Sequence, residues 1–180
     1  MVFEEQSVKG CYLIKRNIPR DDRGYFSRLA DVDEFRSNGL NSKFVQISVS
    51  RNYKKGTLRG LHMQIKPSAE EKLVCCVDGE IFDVCVDLRK DSDTYLKYCF
   101  AILSEENGEA FYIPKGCAHG FISLKDETRL IYLMTSAHDP EAERGYRWND
   151  PAFSIKWPAV PEIISDKDNT WPLIGDEGSR

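Results

Sequence analysis

Along most of the chain, hydrophobic and polar positions alternate with a period of two, the spacing that sends successive side chains to opposite faces of a β-strand. In Val45-Gln46-Ile47-Ser48-Val49-Ser50 the apolar residues take the odd positions and the polar ones the even positions. Between Ile81 and Leu88, one face carries Phe82, Val84, Val86 and Leu88 and the other carries Asp83 and Asp87. Further strands are predicted at Lys72 to Val77, Tyr98 to Leu103, Ala110 to Ile113, Gly120 to Leu124 and Arg129 to Thr135, separated by turn-forming runs such as Asp78-Gly79 and Pro114-Lys115-Gly116. One short helix is predicted from Asp31 to about Ser37, with Asp31 as cap, Glu34 at the box position and Asn38-Gly39 as its end. From about Pro140 the chain turns polar and Pro-rich, and reads as extended coil wrapping the sheet with a short C-terminal helix. Many short strands and few helices imply an all-β sandwich or barrel.

The chain of 180 residues is the length of one domain, 1–180, without a flexible linker or repeat. Twenty-five Lys and Arg against 29 Asp and Glu leave a net charge of −4, which argues against nucleic-acid binding and a basic membrane-surface patch. It leaves room for a locally basic pocket. No run approaches the ~18 apolar residues of a membrane span. The N-terminus lacks a basic region followed by an apolar core, so a cytoplasmic protein is expected. The six cysteines contain no CxxC pair and read as buried, reduced thiols. Adjacent Cys75 and Cys76 are expected on opposite strand faces, unable to share a metal.

The candidate chemistry lies in Leu58-Arg59-Gly60-Leu61-His62-Met63-Gln64, where polar residues interrupt an apolar strand. In a regular strand Arg59 and His62 face opposite ways; a bend or bulge at Gly60 would turn both into one cavity. The plain alternative is a structural histidine and a surface arginine, and these residues alone leave both readings open. A second histidine ends the run Gly108 to His119, whose G-x5-P-x-G-x2-H spacing matches the second signature of the cupin jelly roll. The first cupin signature needs an H-x-H pair, but only His62 is present, so no metal site is expected. Alone, Tyr132 reads as a core tyrosine and His138 as an exposed or stacked ring. Dinucleotide, P-loop and nucleophile-elbow motifs are missing.

These residues together resemble the dTDP-4-dehydrorhamnose 3,5-epimerases, cupins of the RmlC type. The likeness runs from Asp21-Asp22-Arg23-Gly24-Tyr25-Phe26 to Ser165-Asp166-Lys167-Asp168 and includes Phe44-Val45-Gln46, Arg59-Gly60-Leu61-His62, Lys72-Leu73-Val74, Asp83 to Arg89, Ile113 to Phe121, Tyr132 and Trp148-Asn149-Asp150-Pro151. It implies a cofactor-independent isomerase acting on a nucleotide-diphosphate 4-keto-6-deoxy sugar. The C4 ketone acidifies C3 and C5, a base forms an enolate, and reprotonation from the other face inverts the centre. By resemblance His62 is the base, Asp168 orients it, Lys72 stabilises the enolate oxygen and Tyr132 is the acid. Arg59 and His119 match sugar or diphosphate contacts, and Arg23, Gln46, Glu143 and Lys167 further ligand positions. The resemblance also implies a homodimer, with the segment around Arg23 and Phe26 reaching the partner's pocket, and a place in making a surface polysaccharide such as O-antigen lipopolysaccharide, or a deoxysugar antibiotic.

Three departures fall around the nucleotide end. Arg28 stands where the family has an acid, Ile47-Ser48 where it has Asp-Asn, and His138 where a tyrosine stacks on thymine. They raise CDP or GDP as alternatives to dTDP, with Arg28, Ser48 and His138 among the binding positions. Inversion at C3 alone is a further alternative. Competing readings are a nucleotide-sugar 3,4-ketoisomerase, a non-catalytic sugar-nucleotide-binding cupin and, more remotely, a metal-dependent cupin oxygenase.

Overall fold

Two antiparallel sheets face each other as a jelly roll in the computed structural model, which describes residues 1–178. The first sheet takes β1 (Val2–Glu5), β2 (Tyr12–Lys15), β5 (Gln46–Asn52), β7 (Lys72–Asp78), β10 (Ala110–Ile113) and β12 (Thr128–Met134), in the order β1-β2-β10-β7-β12-β5. The second takes β6 (Thr57–Gln64), β8 (Glu80–Asp87), β9 (Tyr98–Ser104), β11 (Cys117–Ser123) and β13 (Glu143–Gly145), in the order β13-β6-β11-β8-β9, and β14 (Ile163–Ile164) joins β6 in parallel. A small hairpin, β3 (Arg20–Asp21) with β4 (Gly24–Tyr25), stands apart from both. Ser179 and Arg180, the last residues of the single-domain reading, lie outside the described residues. No helix among the described residues is long and apolar enough to cross a membrane.

All seven strands predicted from alternation form, with ends shifted by a few residues. The apolar face of β8 is not where a simple sandwich puts it. Phe82, Val84 and Val86 pack with Tyr146, Phe153 and Trp157 of the C-terminal section. The face carrying Asp83 and Asp87 also carries Cys85, which lies in the core between the sheets with Val74, Phe111, Phe121 and Leu130. Each sheet is thus covered on its inner face by the other and on part of its outer face by chain laid over it. The section after Pro140 does more than wrap, because β13 and β14 extend the second sheet. The outer cover of the first sheet includes α1 (Val32–Ser37), whose Phe35 is fully buried against Leu73 and Tyr112. Burying such a ring contributes about 1.5–3 kcal/mol. Asp31 caps α1 by accepting from the backbone N–H of Asp33 and Glu34. Glu34 departs from the predicted box and pairs with the Met1 amino group.

The alternation on β5 is inverted relative to an ordinary sandwich strand. Gln46, Ser48 and Ser50 point into the cavity between the sheets, while Val45, Ile47 and Val49 are 65–70% exposed. β5 is also the open edge of its sheet.

Candidate active site

The central strand β6 carries the predicted bend. Opposite it on β11, His119 pairs with His62 and Phe121 with Arg59, so three steps along β6 match two along β11. The extra residue reverses the alternation and puts Arg59 and His62 on one wall, in the same cavity. Gly60 permits this: its φ is +113°, and a Cβ there would lie 2.6 Å from Gly120 Cα.

The cavity holds about 320 Å³ between the sheets. His62, Arg59, His119, Glu143 and Asp168 line it from the second sheet and the C-terminal section, while Gln46, Ser48, Lys72 and Tyr132 line it from the first. His138 stands at the rim, where its backbone N–H donates to Gln46 Oε1 at 2.9 Å. His62 and Tyr132 therefore approach a ligand from opposing sheets.

His62 Nε2 lies 2.6 Å from Asp168 Oδ1. Asp168 sits in the first turn of α2 (Asp166–Thr170), the short C-terminal helix that the sequence leads one to expect, and Ser165 caps that helix. The other carboxylate oxygen accepts from the Gly60 backbone N–H at 3.2 Å, so the bulge and the dyad hold each other. Burial opposes ionisation of Asp168, but the hydrogen bonds from His62, Gly60 and Trp171 outweigh it and lower its pKa. The carboxylate stays charged and holds the His62 ring by a charge-assisted hydrogen bond.

Lys72 Nζ reaches Glu70 Oε1 at 3.1 Å and is nearly buried. Tyr132 has its pKa pushed well above the ordinary phenol range, by burial first and then by the charge of Asp83, so it remains a proton donor at neutral pH. Arg59 Nε donates to Asn52 Oδ1 at 2.9 Å and leaves the rest of its guanidinium for a ligand. His119 Nε2 lies 2.6 Å from Asp83 Oδ1.

Three predicted binding residues stand outside the cavity, and their charges explain why. Arg23 turns back on Asp21 at 2.6 Å on the exposed β3–β4 hairpin. Arg28 pairs with Asp31, the cap of α1, at 2.6 Å, beside Met1 and Glu34. Lys167 stands at the edge, bound to both Glu143 oxygens at 2.8 Å and resting on the Trp171 ring. Of the five basic residues expected near a ligand, Arg23, Arg28, Arg59, Lys72 and Lys167, this chain places Arg59 and Lys72 at the cavity wall. Sequence reasoning missed Asp83 and Glu70 as partners of His119 and Lys72. Asp83 had a visible signal, an acid at alternating position in an apolar strand; Glu70 had none.

A profile of the family described as dTDP-4-dehydrorhamnose 3,5-epimerase matches residues 5–176. The chain belongs to that family. Its members are isomerases of nucleotide sugars on the cupin fold, and the all-β jelly roll seen here is that fold. The dTDP-4-dehydrorhamnose 3,5-epimerase of Methanothermobacter thermautotrophicus is 44% identical over 172 residues, 94% of this chain and 92% of the relative. The crystal structure of the enzyme of that name from Bacillus anthracis, with TDP and PPi bound, superimposes with a TM-score of 0.92 at 37% identity, covering 96% of this chain and 99% of the other. ChmJ from Streptomyces bikiniensis, a 3'-monoepimerase crystallised with dTDP-quinovose, gives 0.89 at 30% identity, covering 94% and 86%.

Proposed function

We propose that this chain inverts C3 and C5 of a dTDP-linked 4-keto-6-deoxyhexose through an enolate, without a cofactor. The observation that carries the reading is the facing pair: His62, braced by Asp168, on one wall, and protonated Tyr132 on the other. His62 removes the proton next to the ketone, and the electron pair moves to the C4 oxygen. The Lys72 ammonium stabilises that oxyanion, a contribution on the order of 3 kcal/mol for one such donor. Tyr132 then delivers a proton from the opposite face. Arg59 and His119 hold the diphosphate or sugar, with Gln46, Ser48, Glu143 and Lys167 completing the binding wall and rim.

Kinship supports dTDP as the nucleotide, since the relatives act on dTDP sugars. The alternative of CDP or GDP rests on Arg28, Ile47, Ser48 and His138. Arg28 is engaged by Asp31 and Ile47 points outward, so only Ser48 and His138 meet the cavity of their own protomer. We also infer a cytoplasmic homodimer. The exposed row Val45, Ile47 and Val49 on an open sheet edge supports the pairing, and six free, buried thiols fit a reducing compartment.

The test is proton exchange followed by NMR in D₂O with the dTDP-linked keto sugar. Wild type should place deuterium at both C3 and C5, whereas label at C3 alone would make it a monoepimerase. His62→Ala should lose exchange and turnover by roughly 10²–10⁴-fold. Tyr132→Phe should keep exchange while losing inversion, because deprotonation survives without the acid. Full exchange in the His62 variant would overturn the mechanism, and tighter binding of CDP, GDP or UDP than dTDP would overturn the nucleotide.

A further inference from the structure

Beneath the cavity floor, on the inner face of β8, β9 and β11, the core changes character. Elsewhere it is filled mainly with aliphatic and aromatic side chains, but here four thiols gather. Cys85 and Cys99 are direct partners across β8 and β9. Cys11 arrives from the other sheet, in the turn between β1 and β2, where its N–H donates to Val8 O at 3.0 Å and its carbonyl accepts from Gln6 N at 2.8 Å. The sulfur atoms of Cys11, Cys85 and Cys99 all lie within 4.8 Å of one another. Cys117 on β11 touches the Cys85 thiol and points toward Asp87, 4.0 Å from its Oδ1.

The geometry points to a closed site for one thiophilic d¹⁰ cation, Zn²⁺ or Cu⁺, ligated by Cys11, Cys85 and Cys99, with Cys117 as the fourth ligand for zinc. Metal–sulfur bonds of ~2.3 Å set sulfur–sulfur separations of about 3.8 Å in a tetrahedron and about 4.0 Å in a trigonal plane. Both fit inside the spacing that these thiols already hold. Three neutral thiols at this distance have one hydrogen each and poor acceptors, whereas a cation satisfies all three sulfurs at once.

The surroundings suit a sulfur-ligated cation. Cys99 accepts from the Cys11 and Cys85 thiols and from the Val8 backbone N–H, so its sulfur is the common acceptor of the cluster. Loss of the Cys11 and Cys85 protons accompanies metal binding. The Arg89 guanidinium, anchored on Asp87 at 2.7 Å, lies within electrostatic reach of Cys85 and Cys117 and offsets the surplus negative charge of a polythiolate. On binding, each ligating thiol releases its proton to solvent as a metal–sulfur bond forms, and no electron moves. The absence of a CxxC pair hides such a site from the sequence, because its ligands come from a turn and two facing strands.

The full chain, refolded anaerobically under reducing conditions, is titrated separately with Zn²⁺, Cu⁺ and Co²⁺. Retention of one equivalent after chelation by a competitor, with thiolate-to-cobalt charge-transfer bands in the Co²⁺ sample, is the expected result. X-ray absorption on the loaded wild type should read a sulfur shell near 2.3 Å, three atoms for copper or four for zinc. Cys99→Ala should abolish retention and Cys75→Ala, which alters a thiol on the opposite sheet face, should preserve it. Cys117→Ala should weaken zinc and spare copper. Failure of wild type to retain any of the three metals, an absorption shell without sulfur, or a Cys85–Cys99 disulfide formed in place of metal binding would overturn the site. The wild-type spectra decide this even if a variant does not fold.

Discussion

Asp83, Asp87 and Asp168 are all buried acids, and their partners give each a different charge economy. Burial opposes ionisation of Asp87, but hydrogen bonds from Arg89, Ser92 and Thr94 outweigh it and bring its pKa to about 2. In the unfolded chain the same group titrates near 3.8. Its contribution is therefore complete above that value and is lost as pH falls towards 2. The shift corresponds to ~2 kcal/mol. Asp87→Asn should lower stability by about that amount at pH 7 and by much less at pH 2.5, read as urea midpoints across pH. Asp83 shows the opposite pattern. Burial raises its pKa, His119 pulls it back, and its Oδ2 has no hydrogen-bond partner among the described residues. Leaving such an oxygen unsatisfied costs about 1–3 kcal/mol, so Asp83 is a polar group kept at the cavity for His119 rather than for stability.

At the scale of elements, β6 organises the site. Its bulge turns Arg59 and His62 to one side, and the freed Gly60 N–H reaches Asp168. Gly60→Ala combines an unfavourable φ with a backbone collision at Gly120 and should cost at least 1–3 kcal/mol. Thermal unfolding would read that loss, and epimerase activity should fall further than stability, because the dyad is set by the same bulge. The alternating strands were legible because each carries enough period-two signal to stand alone. β1 and β2 lie outside the runs whose alternation predicts a strand, and β13 and β14 are too short to show a period; they form because β10 and β6 offer unpaired edges. The Gly60 bend was legible as a possibility from one glycine among strand-formers. The His62–Asp168 contact spans 106 residues, and only family likeness joined those two positions before the fold did.

For the whole molecule, the inverted strand β5 matters most. Its polar side lines the cavity, so its apolar side has no place in the monomer core, and a charge on that side tests assembly without entering the site. Ile47→Glu with Val49→Glu should convert the proposed dimer into monomer, measured by light scattering on a size-exclusion column, with the fold retained by circular dichroism. A monomeric wild type would remove that role from the row. The departures at Arg28 and Ile47 looked like changes in nucleotide recognition on the linear chain; three dimensions place one on a helix cap and the other on the outer face. The two walls of the cavity are also unequal in support. β6 is bonded to β11 on one side and to β13 and β14 on the other, and Leu61 exchanges backbone bonds with Tyr146. β5 is bonded on one side alone. In the monomeric Ile47→Glu/Val49→Glu variant, amide hydrogen exchange should therefore be slower around Leu61 and His62 than along β5. The His62–Asp168 pair thus rests on the better-braced wall, and the width of the cavity depends on what supports β5 from outside.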